Sequence, residues 1–430
     1  MAIKSGWYAL GNLGTNIFSQ TFATFALFFY IDHLRAPLGA ITAAMAVQSV
    51  WHAVLNPAIG QLSDRTRTRF GRRIPYIAGF SLPLGIIFFL LWHPMVSHRW
   101  LAEYFLVIVI LFDLTYLTVV LNWTSLFPEM FRTIGERSRA QSPRQVLGVM
   151  ALLIGVAAPP LLYGHLGWTM MGLILAVIGT AGFFLSLHGS REQPAAAPPA
   201  HWSLWESWKL LKDLRGFRQF LAMNFFVQLT LGLIPAVLPF YAKYVLHISH
   251  GLLSLVLATI FVTALLLIVP WTHLIRRIGS HRAIRWTIIL LACGIIPFSW
   301  ATSLTVILVS TMVLGAGLAG FLTLADVLMA EIIDHDASVA GIRREGVFYG
   351  VNGFILRLGV SVQALLLYLV LHGTGYHANS QGYANPAVQD GFRVLVSLIP
   401  LLFLVAAFAV IQRFSIPESS TQRSPLALHE

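Results

Sequence analysis

Long apolar runs, broken at nearly even intervals by short polar segments, dominate this chain. Most approach the roughly 20 residues that a helix needs to cross a hydrocarbon layer. The pattern predicts spans at Trp7–Tyr30, Leu38–Leu62, Ile74–Pro94, Leu101–Phe127, Val146–Tyr163 and Leu166–Leu187. After a polar interval it predicts Phe220–Tyr241, Leu252–Leu274, Ile288–Ala301, Leu304–Met329, Val347–Leu371 and Val394–Ile411. A backbone amide in hydrocarbon must find its partner within its own segment, so each run is expected as a helix. The expectation is all-α, a polytopic membrane protein of twelve transmembrane helices.

The polar interval divides the chain. It opens on the Pro/Ala stretch SREQPAAAPPA, which cannot form a membrane helix. It continues as WSLWESWKLLKDL, with Trp and Leu at helical spacing and Lys and Glu between them, which predicts an amphipathic surface helix. The expected organisation is an N-terminal six-helix bundle over 1–187, a cytoplasmic central loop over 188–216, a C-terminal six-helix bundle over 217–414 and a tail over 415–430. The first residues lack a short apolar core with a small-residue cleavage site, so no signal peptide is expected.

Composition agrees and excludes alternatives. Hydrophobic residues make up 57% of the chain and charged ones 10%, against about 25% charged in soluble domains. The net charge of +11 is not the mark of a nucleic-acid binder, because its distribution is one-sided. Twenty-three Lys and Arg fall in the N-terminus, alternate loops and tail, against four (Arg35, Arg99, Lys243 and Arg393) in the opposite loops. That asymmetry places both termini in the cytoplasm, with the protein spanning the cell (inner or plasma) membrane. Cys293 stands alone and forms no internal disulfide. Gly315-Ala316-Gly317-Leu318-Ala319-Gly320 matches a dinucleotide fingerprint by spacing, but it lies inside a span, where small residues serve close helix packing. No metal spacing, nucleophile elbow or phosphate loop appears, so neither an enzyme nor a cofactor is expected.

Ionisable residues inside spans are costly, about 2.5–3.5 kcal/mol each on insertion scales, and mark function by default. Three stand out: Asp113, Asp326 and Arg357. Asp113 shares a helix face with Tyr116 and Val120. His52 is a further titratable group, with an ordinary pKa near 6.5.

Several blocks carry a recognisable grammar. GQLSDRTRTRFGRR (Gly60–Arg73) brackets a basic turn with glycines and sets Asp64 before it. The first span reads GNLGTNIFSQTFATFALFFYID, and the exit of the fourth reads WTSLFPEMFRTIGERSRAQSPR. Later come DHDASVAGIRREGVFYGVNGFILRLG (Asp334–Gly359), HGTGY (His372–Tyr376) and the Gln389 stretch. In this order the chain resembles the glycoside–pentoside–hexuronide:cation symporters of the major facilitator superfamily. The resemblance implies two six-helix bundles around a central cavity that opens to each side in turn. It implies a secondary transporter of a glycoside or sugar-like solute, working as a monomer in the lipid bilayer.

Residue roles carry over position by position. The resemblance assigns solute binding to Asn16, Thr15, Tyr116, Trp123 and Arg144; an Asn stands where the family has an acid, and Thr15 where it has a lysine. It assigns gating to Asp64 with Arg65, Arg72 and Arg73, to which Asp326 is added near a helix end. The family's cation site uses two carboxylates one turn apart and a third on the fourth span. Here those positions hold His52, Asn56 and Val120, so sodium has no pair of anionic ligands. Ion coupling then falls to Asp113, His52, Asn56 and Arg357, with the proton as the expected ion and Arg357 stabilising Asp113 if the two meet. Open alternatives are an uncoupled sugar facilitator, a carrier of a lysolipid-like amphiphile, and a non-transporting sensor or scaffold.

Overall fold

The computed structural model describes residues 2–131, 134–192, 214–340, 345–377 and 385–413; these are helical almost throughout, and none lies in a strand. In chain order the helices are α1 (Ala2–Ala9), α2 (Gly11–Leu27), α3 (Leu38–Arg65), α4 (Ile74–Trp92), α5 (Leu101–Met130) and α6 (Ile134–Gly189). Then follow α7 (Arg215–Tyr241), α8 (His250–Ile278), α9 (Ser280–Ile295), α10 (Leu304–Ala340), α11 (Glu345–Gly373), α12 (Pro386–Arg393) and α13 (Ile399–Gln412). The expected surface helix WSLWESWKLLKDL lies outside the described residues but for Leu214.

Among the described residues, ten segments are long and apolar enough to cross a bilayer. One of them, Pro143–Gly189, is 47 residues long, enough for two crossings. The two runs expected there are arms of α6, broken at Gly167 with φ 82° and ψ 165°, a conformation that favours glycine. Gly148 lies beside Asn12 and Asn16 while Gly182 lies beside Leu10 and Leu13, so both arms run along the same stretch of chain. Several helices overshoot the apolar runs; α10 continues to Ala340, past the expected end at Met329.

Prolines inside α3, α4, α6, α7 and α8 do not end those helices, a tolerance typical of membrane spans. Two ends share a device. After α2 the turn widens to π geometry over Phe28–His33, and Arg35 then adopts a positive φ of 57°. After α7 it widens over Ala242–Leu246, and His247 follows at φ 54°. Single wide turns of this kind gather at functional sites. Here they carry Asp32 and Lys243.

Helices before Gly189 pack chiefly on one another, and so do those after Leu214; α2 meets α7, α3 meets α11, and α6 meets α8 between the two groups. The glycine-rich stretch of α10 packs as expected. A Cβ at Gly315 would overlap the Ile260 carbonyl oxygen of α8, and one at Gly317 would press on Leu291 of α9. Gly315→Ala is therefore expected to cost about 1–3 kcal/mol through overpacking against backbone. A thermal midpoint equal to that of the parent would contradict this close approach.

Candidate functional site

The site is built at mid-span. His52 on α3, Asp113 and Tyr116 on α5 and Arg357 on α11 each stand at least 12 residues from both ends of their helices. At 1.5 Å per residue that is about 18 Å from either end.

His52 and Asp113 form a pair. His52 Nδ1 lies 2.6 Å from Asp113 Oδ1, and Gln48 Nε2 donates to the same oxygen at 3.1 Å. Both partners are buried, His52 at 1% and Asp113 at 2% exposure. Leu55, Ile59 and Leu117 form a small apolar cluster on the same two helices, α3 and α5. The other polar atoms of the pair, His52 Nε2 and Asp113 Oδ2, have no hydrogen-bond partner among the described residues. A buried polar atom left unpaired is costly, and one that persists calls for a reason such as proton exchange. The sequence names each residue singly; the structure gives Asp113 to His52, not to Arg357. Gln48 was missed, although it precedes His52 by four residues on the same helical face. Asn56, half-buried one turn along α3, makes no hydrogen bond with a described residue.

The residues expected to hold solute divide into two groups. Thr15, Asn16 and Tyr116 come together half-buried, with Tyr116 donating to the Thr15 carbonyl at 3.1 Å. Asn16 Nδ2 donates to the Asn12 carbonyl at 3.2 Å, and Asn12 Nδ2 to the Arg144 carbonyl at 2.6 Å. Asn12 thus ties α2 to the first arm of α6 and was not singled out in the sequence. Trp123 and Arg144 lie about one helix turn away, toward the start of α2. Trp123 is 0% exposed, stacked on Tyr8 at 4.9 Å, so no face is open to a solute in this conformation. The Arg144 guanidinium covers the Trp123 and Phe127 rings at 5.1 and 4.8 Å, a cation–π arrangement. Arg357, partly exposed on α11, lies within electrostatic reach of Tyr116. It forms no hydrogen bond or ion pair with any described residue.

At the end carrying the basic loop, Asp64 accepts from Arg73 Nη2 at 3.1 Å and lies 3.6 Å from Arg72. Glu129 at the end of α5 accepts from Arg72 Nη2 at 2.7 Å and Arg73 Nε at 2.9 Å. Glu192 accepts the backbone N–H groups of Arg72 and Arg73 at 2.8 and 3.0 Å, a carboxylate at the start of α4. The cluster ties α3, α4, α5 and the segment after α6. Arg65 is exposed, and Asp326 is exposed on α10; neither is bonded to a described residue.

The opposite end holds a cluster that joins the two groups of helices. Asp32 Oδ2 accepts from Lys243 Nζ at 2.6 Å, and Oδ1 accepts from Tyr244 and Tyr376 at 2.5 and 2.8 Å. Nearby, Ser254 of α8 donates to the Ala157 carbonyl of α6. The bonds of Asp32 and Ser254 link the part before Gly189 to the part after Leu214 at this end or toward it. Beside Asp32 lies a cavity of about 750 Å³, lined by His33, Trp168, Tyr163, Lys243 and His250 among others.

Helices with titratable groups held at mid-span, in two groups bonded together at one end, form the architecture of a solute carrier. The chain belongs to the MFS/sugar transport protein family, whose model matches residues 7–418. It is 27% identical over 393 residues to the isoprimeverose transporter of Lactiplantibacillus pentosus, covering 86% of this chain and 80% of that one. It is 25% identical over 420 residues to the glucuronide carrier protein homolog of Escherichia coli K12, covering 94% and 90%. The solved nucleoside transporter NupG shares the fold at a TM-score of 0.70 and 13% identity, covering 96% of this chain and 98% of that structure. The chain is therefore a multi-pass membrane transporter, not an enzyme.

Proposed function

We propose that this protein carries a glycoside or sugar-like solute by alternating access, coupled to the proton and not to sodium. In this reading the chain crosses the membrane twelve times as two six-helix bundles, 1–187 and 217–414, with the loop 188–216 and tail 415–430 in the cytoplasm. It works as a monomer in the cell's inner (plasma) membrane. The matching π turns after α2 and α7 support a repeated unit, one per bundle. The basic end is then cytoplasmic, and the conformation faces inward.

The observation that carries the coupling is the buried His52–Asp113 pair, with one unpartnered atom on each residue. It sits on the helices where the family resemblance puts a cation, at a place where Asn56 and Val120 offer no second or third carboxylate. A bare sodium ion there finds too few hard, anionic oxygens. A proton needs only the pair. Solute binding falls to Thr15, Asn16 and Tyr116 on the N-terminal side and Arg357 on the other. Arg144 contributes by holding the Trp123 ring and, through its carbonyl, Asn12. Asp64, Arg72 and Arg73 act as a clasp that keeps the first bundle rigid while the bundles part, with Arg65 and Asp326 free to meet new partners on closure.

The test is uptake of labelled glycosides into proteoliposomes with sodium or pH gradients imposed separately. An inward pH gradient is expected to drive accumulation, and a sodium gradient at constant pH and voltage to change the initial rate by less than about twofold. Acceleration by sodium alone would refute the coupling, and failure to transport any glycoside would refute the solute class.

A further inference from the structure

The two groups of helices repeat one another at an interval of 212 residues. Phe28 and Phe240, one interval apart, meet across the groups with ring centroids 5.0 Å from each other. Arg35 and His247, again one interval apart, hold matching positive φ values of 57° and 54°. Asn12 and Asn224 are a third such pair. Asn12 Nδ2 ties α2 to α6 through the Arg144 carbonyl at 2.6 Å, and Asn224 Nδ2 ties α7 to α11 through Asn352 Oδ1 at 2.8 Å. The same interval carries Asn16, one of the expected solute residues, onto Gln228. Gln228 stands at the middle of α7, exposed between buried Val227 and Leu229. Its side chain makes no hydrogen bond with a described residue. An amide turned to hydrocarbon without a partner is costly, so one left open at mid-span belongs to a water-filled cavity. Asn16 and Gln228 each lie about 18 Å along the helix from the Phe28–Phe240 contact, toward the basic end.

We propose that Gln228 is the second bundle's solute contact, the repeat mate of Asn16, and that the two amides hold hydroxyls on opposite edges of one neutral sugar ring. The inference rests on the sugar-like reading above and deepens it. A primary amide offers a donor and an acceptor together, which is what a pair of neighbouring hydroxyls requires. A ring held from both sides joins α2 to α7, so loading the site draws the two bundles together.

The experiment uses the full chain in nanodiscs with methyl β-D-glucoside as probe. Isothermal titration is expected to find binding weakened about tenfold or more by Gln228→Leu, the scale of a lost buried hydrogen bond, and Gln228→Asn to keep part of the affinity. An unchanged thermal midpoint certifies that the variants are folded. In a Cys293→Ser background, which removes the one native thiol, Gln228→Cys is expected to react with a charged methanethiosulfonate reagent, and saturating glucoside to slow that reaction at least about threefold. Failure to react places position 228 away from water and overturns the contact. Equal affinity of the parent and Gln228→Leu overturns the contact and leaves the sugar reading standing. A parent that does not bind the probe overturns both.

Discussion

Asp113→Asn is expected to abolish accumulation of solute under a pH gradient, at least about tenfold below the parent, while solute-for-solute exchange stays within about threefold. The asparagine keeps the shape and one oxygen acceptor for Gln48 and His52, so the α3–α5 contact survives. It cannot take up or release a proton. The His52–Asp113 pair is buried, and its unpartnered Nε2 and Oδ2 are where a proton would enter and leave. Under the proposed proton coupling accumulation needs that traffic, and exchange at equal solute concentration does not. His52→Gln should behave in the same way, because either change breaks the pair. Removing one partner of a buried ion pair can cost about 3–5 kcal/mol, so thermal midpoints should be read alongside transport. An Asp113→Asn protein that still concentrates solute against a pH gradient would remove the proton from this site.

Asp32→Asn is expected to open the opposite end. Asp32, 2% exposed at its side chain, takes all three donors from the far group of helices: Lys243, Tyr244 and Tyr376. Hydrogen bonds to a charged group are worth about 1.5–3 kcal/mol each. Weakening even one of them shifts a two-state equilibrium about tenfold or more. Spin labels at Met95 and Trp300, both exposed at that end, report the change. Their distance distribution should gain a longer component in the variant. Identical distributions in variant and parent would show that the closed state is held by packing alone. Lys243→Met is a weaker version of the same test, since the tyrosine bonds remain.

The apolar runs made most of the fold legible. Leu38, Ile74, Leu101 and Leu304 begin helices where the pattern starts them. The ends were less legible for a physical reason: hydropathy stops at the membrane surface, while backbone hydrogen bonding continues. Thus α5 runs to Met130 and α10 to Ala340. The runs at Val146–Tyr163 and Leu166–Leu187 are separate helical arms of α6, with the chain turned at Gly167.

The site was legible as a set of residue types and illegible as a geometry. Asp113 and His52 declare themselves as ionisable groups in apolar runs, but they lie 61 residues apart. Their pairing depends on how α3 and α5 rotate about their own axes, which a period of 3.6 does not fix. Trp123 shows the same limit, since spacing gives its helix face but not its depth under Tyr8. Asp32 and Tyr376 stand in the quoted blocks at opposite ends of the chain. Their bond across 344 residues is a property of how the two groups of helices meet.

The Asp32 cluster also bears on how this carrier can be inhibited. With the basic end cytoplasmic, as proposed, a blocker added outside meets a surface bonded shut in this conformation and must wait for the fraction of molecules that face it. Its apparent dissociation constant is the intrinsic one divided by that fraction. If about one molecule in a hundred faces outward, a compound made for the outer vestibule loses about a hundredfold in apparent strength. A compound that instead fills the 750 Å³ cavity beside the shut latch would bind the conformation described here. It would act as a wedge that keeps the carrier in its inward pose, and it would need no entry to the cell.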